Sequence, residues 1–256
     1  MTAGTTRDDL PMIDHTTKAF DVDLRELTRM VADMGHLVEQ QIADALDALA
    51  NRDTELGQRA IATDPKVDAL QHQIEEKAVL TIARRQPMAI DLREVIGALR
   101  IANDLERVGD LAKNIGKRVL PLSDDLHPAN LMLGVERIGT LVLERIRQVL
   151  DSYTQRNLDL ALAVWNGDEE IDSTCTAIFR ELLTYMMEDA RNISSCIDLM
   201  FCAKNIERMG DHATNIAETV YYIVEGRPIA EQRPKGDTTT FAAMVAERRP
   251  SGTSSS

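Results

Sequence analysis

From Phe20 onward, apolar residues recur at spacings of three and four: Leu24, Leu27, Val31, Met34, Leu37, Val38, Ile42, Leu46 and Leu49. That period lines one face of a long amphipathic helix. Polar residues at 51–53 break it. A second helical run covers about 54–85, with an irregularity at Thr63, Asp64 and Pro65. Asp64 before Pro65 predicts an N-cap followed by proline at the first helical position. Pro87 closes this run, because proline steers its predecessor away from helix. A third helix is expected over about 89–119, and PLSDDLHP at 121–128 reads as a linker.

After the linker the order repeats. Sliding Met34 onto Ile138 pairs Gly35 with Gly139, Leu37 with Leu141, Val38 with Val142, Ile42 with Ile146 and Leu46 with Leu150. The same offset of 104 pairs Asp47 with Asp151, Arg52 with Arg156, Leu56 with Leu160, Asp64 with Asp168 and Asp68 with Asp172. Asp168 is accordingly expected to cap a helix as Asp64 does. Further on, NDLERVGDLAKNI from Asn103 matches KNIERMGDHATNI from Lys204 at an offset of 101, so about three residues are lost at the turn before the third helix. A helix–helix turn is where a duplicated bundle tolerates such a loss. The chain therefore reads as all-α, two tandem and similar three-helix bundles built from six long helices. The bundles span 18–120 and 129–225, and the polar ends 1–17 and 226–256 read as disordered tails.

Composition supports that class. Apolar residues make up 44% and aromatics 4%, so the core must rest on aliphatic side chains. The net charge of −13 excludes the broad basic footprint of a nucleic-acid binder. No stretch reaches the roughly 18 apolar residues of a membrane span. Cys175, Cys196 and Cys202 match no common zinc spacing and are expected as reduced core residues in a cytoplasmic protein. The two methionines of TYMMED at 184–189 are read as core, and ARRQP at 83–87 as a helix end.

The repeated acidic stretch carries the candidate chemistry. With Glu106 at zero on a helical wheel, Asp110 falls at about 40° and Asn114 at about 80°, a slow stripe of oxygens. Glu207, Asp211 and Asn215 repeat it. Two carboxylates and an amide in a row are hard ligands suited to divalent cations. A lone acidic pair at this spacing is ordinarily a solvated face, tied here by Arg107 or Arg208. The repetition in register argues for more. Gly109 and Gly210, poor helix formers inside both stretches, predict close approach of another backbone. Lys113 and Lys117 lie beside the first stripe, where the second has Thr214 and Glu218, so the second site is expected to bind a cation more strongly. His212 is poorly angled for a ligand. No Glu-x-x-His pair, phosphate loop or nucleophile motif is present, so no catalytic centre is expected. The rival reading is a metal-binding or storage bundle.

MGHLVEQQIADAL at 34–46, IARRQPMAIDLR at 82–93, DLERVGD at 104–110, LLTYMMEDARNI at 182–193 and FCAKNIERMGDHATNI at 201–216 resemble the PhoU family, across both repeats and in order. The resemblance implies tandem three-helix bundles joined head to tail, often as a homodimer. It implies a non-enzymatic negative regulator of phosphate uptake and of the phosphate-starvation (Pho) regulon. Such a protein links the transporter ATPase PstB to the sensor kinase PhoR, meets the membrane only through them, and takes no nucleic acid. Some members hold iron, zinc, magnesium or manganese on the motif that maps here to Glu106, Asp110 and Asn114, and to Glu207, Asp211 and Asn215.

Overall fold

The computed structural model describes residues 10–122 and 129–231, with side chains from 20 to 119 and from 132 to 231. Helix α1 (Leu10–Asn51) begins inside the stretch assigned above to a tail. It ends where Arg52 turns left-handed at φ 55. Asp53 then caps α2 (Thr54–Arg85), accepting from the backbone N–H of Glu55 and Leu56. The offset of 104 carries this device onto Arg156 (φ 53) and Asn157, which caps α5 (Leu158–Asn166) through the N–H of Asp159 and Leu160.

The expected cap at Asp64 is not there. With α2 already started at Thr54, it runs straight through Pro65. A proline inside a formed helix removes one backbone hydrogen bond but need not end it. The break falls instead in the second repeat, where Gly167 (φ −82, ψ −1) separates α5 from α6 (Asp168–Glu188). Asp168 is the first residue of α6, and Gly167 takes the cap position in its place; the Asp168 carboxylate accepts from Thr214 Oγ1. The six expected rods are thus built from seven α-helices among the described residues, with α5 and α6 forming one rod.

Helix α3 (Ile90–Leu122) continues two residues into the assigned linker, and α4 is Ala129–Gln155. A 3-10 turn (Ala190–Asn192) leads into α7 (Ile193–Glu225), closed by left-handed Gly226. The chain beyond is not wholly detached, since Ile229 packs against the core. The rest of the assigned tails and linker lies outside the described residues.

The repeats pack antiparallel, α3 on α7 and α1 on α4. Arg118 pairs with Asp198, Asp104 with His212, and Gly97 faces Ile223, so α3 and α7 run in opposite directions. On the other side, a Cβ on Gly35 would stand 2.7 Å from Leu150, and one on Gly139 2.7 Å from Leu46. These contacts are reciprocal, because Gly35 aligns with Gly139 and Leu46 with Leu150. The duplication is therefore an approximate two-fold axis in space. A single apolar core, Leu27 and Ile101 through Ile146 and Leu199, crosses it. Cys175, Cys196 and Cys202 are buried in that core as expected. Of the adjacent methionines only one can face inward: Met186 packs on the core and Met187 is exposed.

Candidate functional site

Each acidic stretch lies midway along the last helix of its repeat and faces the middle helix. The middle helices bring carboxylates of their own. Asp64 and Asp68 on α2 act on Glu106 together with Asp110, and Asp172 on α6 acts on Glu207 together with Asp211. Asp168 joins the second group from one turn earlier on α6, hydrogen-bonded to Thr214 of α7. In the sequence these aspartates stand only as repeat markers and caps. Their own i, i+4 spacing, repeated at the offset of 104, was the signal that marks them.

The two groups differ in how their charge is compensated. In the first, Lys113 Nζ bridges the helices, 2.7 Å from Asp64 Oδ2 and 2.5 Å from Asp110 Oδ1. Burial works against the Lys113 ammonium, but its bonds to Asp110 and Asp64 outweigh that, so its pKa is raised. Arg107 lies 3.3 Å from Glu106 and 3.6 Å from Asp110, the surface tie considered above. Burial pushes the Glu106 carboxyl up despite Arg107.

In the second group the position of Lys113 is Thr214. Glu207 is only 4% exposed, and Asp168 and Asp172 are 3% and 5%. Lys204 reaches Glu207 Oε1 at 2.8 Å from three residues away on the same helix. Glu207 Oε2 is buried with no hydrogen-bond partner. Burial pushes this carboxyl up to about 6; Lys204 opposes the rise, while Asp211 and Asp172 add to it.

Asn114 is exposed. Asn215 lines a groove of about 600 Å³ between α3 and α7, with its Nδ2 3.4 Å from Asp104 Oδ1. His212 also turns to that seam, with Nδ1 2.9 Å from Asp104. The glycines serve side chains rather than a backbone: a Cβ on Gly109 would meet Gln41 Oε1 at 3.0 Å, and one on Gly210 would meet Ile171 at 2.9 Å. The close backbone approach is elsewhere, between Gly57 and Gly116.

Among the described residues, no three Asp, Glu, His or Cys side chains converge on one point as they stand. The donor chemistry of the second group nonetheless fits a hard divalent cation: carboxylate oxygens from two facing helices, desolvated, one of them unpartnered. An ammonium bonds to carboxylates in each group, Lys113 to Asp64 and Asp110 in the first and Lys204 to Glu207 in the second; the buried oxygen without a hydrogen-bond partner is in the second.

Comparison with known proteins places this arrangement among relatives. The model of the PhoU domain matches twice, at residues 31–119 and 135–220. The phosphate-specific transport system accessory protein PhoU homolog of Rhizobium meliloti is 51% identical over 233 residues, covering 91% of this chain and 98% of that protein. The homolog of the same name from Caulobacter vibrioides is 50% identical over 226 residues, covering 88% and 98%. The crystal structure of PhoU from Pseudomonas aeruginosa superposes with a TM-score of 0.79 at 37% identity, covering 81% of this chain and all of that one. The phosphate transport system regulatory protein PhoU from Streptococcus pneumoniae gives 0.76 at 29% identity.

Proposed function

The chain belongs to the PhoU family, and on that premise we propose that it is a non-enzymatic accessory protein of a phosphate-specific transport system. In phosphate-replete cells it restrains uptake and keeps the starvation regulon off. It does so from the cytoplasm, as a homodimer, by joining the transporter ATPase PstB to the sensor kinase PhoR. The observation that carries this reading is the double match of the family domain, once in each repeat. No helix among the described residues is long and apolar enough to cross a membrane.

A divalent cation belongs to the same proposal. Asp168, Asp172, Glu207 and Asp211 would hold it, and it would neutralise carboxylates that repel one another, fixing the face that a partner meets. Around it the chain's own groups set the stage: Thr214 holds Asp168, Lys204 holds one oxygen of Glu207, and the α6–α7 packing keeps water from the other.

The test is a deletion strain assayed for alkaline phosphatase in high phosphate. The enzyme is expected to be made constitutively, and to be repressed again when the wild-type gene is returned. Repression that persists in the deletion strain would remove the regulatory role.

A further inference from the structure

The seam between α3 and α7 carries a groove with two unlike ends. The polar end is the space of about 600 Å³ described above, lined by Asp104 of α3 and Glu218 of α7. Asp104 is held there by His212 and Asn215, and Glu218 accepts from Trp165 Nε1 at 3.1 Å. The apolar end holds about 420 Å³ among Ala89, Leu92, Ile96 and Tyr222. The two ends adjoin at Tyr222, which lines both and carries the Arg100 guanidinium 5.5 Å over its ring. Met88 and Ile90, on either side of Ala89, stand 81% and 56% exposed. Apolar surface gathered beside a groove in this way marks a place where another segment packs.

The chain delivers its own C-terminal segment to this groove. Gly226 lines the apolar end, and Pro228, Ile229 and Glu231 line the polar end. Past Glu231 the sequence reads QRPKGDTTTFAAMVAERRP. Two cations, Arg233 and Lys235, come first, and the apolar run at 241–245 follows. We propose that this segment occupies the seam, with Arg233 and Lys235 at Asp104 and Glu218, and Phe241, Met244 and Val245 over Leu92, Ile96 and Tyr222. The order of charge and apolarity along the segment matches the order along the groove. The reach matches as well. Asp104 lies twelve helical residues from Leu92, about 18 Å, and the ten residues from Glu231 to Phe241 span up to about 33 Å. A tethered segment needs little intrinsic affinity, because the tether holds it near the groove at a high effective concentration. The chain thereby closes a seam to which both repeats contribute a helix.

The experiment is disulfide trapping in the full chain. Leu92→Cys/Met244→Cys puts one thiol at the apolar end of the groove and one in the apolar run. Ile197→Cys/Met244→Cys is the control. Ile197 precedes Asp198, which pairs with Arg118 at the far end of the seam. Arg118 lies fourteen residues beyond Asp104 on α3, about 21 Å, and Ile197 is 42% exposed against 37% for Leu92. A segment without a preferred place therefore meets both thiols alike. The native cysteines are buried. After mild oxidation the bonds are mapped by mass spectrometry. The Leu92→Cys pair is expected to give about tenfold more intramolecular disulfide than the control.

Adding Arg233→Glu/Lys235→Glu to the Leu92→Cys pair is expected to lower that yield several-fold, and adding Glu218→Lys as well to restore part of it, with circular dichroism checking that each variant keeps its helices. Equal yields from the two cysteine pairs would overturn the inference. So would a disulfide joining two copies, which would give the groove to a neighbour's segment, and so would a yield indifferent to the reversed charges. None of these readouts depends on the role in phosphate transport.

Discussion

Folding takes the Glu207 carboxyl out of water with one oxygen unpartnered, and its pKa rises from 4.5 to about 6. For an acid, a folded pKa above the unfolded one means that the folded state holds the proton more tightly. Its contribution to stability is full below pH 4.5 and is lost as pH rises through 6. Above that window the ionised carboxylate costs roughly 2 kcal/mol. Glu207→Gln keeps the shape and removes the charge. In chelator-containing buffer it is expected to be more stable than wild type by roughly 1–2 kcal/mol at neutral pH, and no different near pH 4. Urea titrations at the two pH values check this. Equal stability at neutral pH would mean that Lys204 compensates the charge in full. Asp44 shows the opposite sign: the bonds from Arg59 hold its carboxyl below the usual range despite burial. Glu106, Asp110, Glu207 and Asp211 could be picked from the sequence because they recur in register. Nothing in a single chain's spacing could say that Lys113 would reach across to Asp64 while Thr214, in the equivalent place, would bond to Asp168.

At the scale of elements, close packing of α2 on α3 depends on two glycines. A Cβ on Gly116 would stand 2.8 Å from the carbonyl oxygen of Gly57. A backbone oxygen cannot swing aside as a side chain can, so the helices would have to part. Gly116→Ala gains helix propensity worth about 1 kcal/mol but is expected to lose more to overpacking, for a net loss of roughly 1–2 kcal/mol. Chemical denaturation reads it directly; a variant as stable as wild type would show that the two helices can separate without cost. Helix existence and order were legible here because the apolar period is long and regular. Boundaries were less so. Pro65 looked like a start and is an interior residue, while Gly167, unremarked in the sequence, divides a rod. Local preference cannot tell a proline that begins a helix from one that a helix already formed at Asp53 passes through.

At the scale of the molecule, the apolar core is continuous across the repeats, from Val31 and Leu105 to Val142 and Leu182. Neither repeat can unfold without exposing the other's share of it. A single cooperative transition follows, although the chain is a tandem duplication. Trp165, the only tryptophan, reports the second repeat alone. Its fluorescence and far-ultraviolet circular dichroism are expected to change at the same urea concentration. A fluorescence transition displaced from the dichroism would show two units of independent stability.

The sequence by itself determined the helical class, the duplication and the acidic ridges, since each is a periodic property that local spacing records. It also determined the family, through motifs that run in order along both repeats. Only the tertiary structure decided the partners of those ridges. It brought Asp64 and Asp68 to Glu106, Asp172 to Glu207 and Asp168 to Thr214, and it set Asn215 and His212 beside Asp104 in the α3–α7 seam. It turned the offset of 104 into reciprocal contacts between Gly35 and Leu150 and between Gly139 and Leu46. The physical reason is that charge compensation and close approach depend on which helices become neighbours and at what depth. Those are set by packing across the whole chain, and no helical period encodes them.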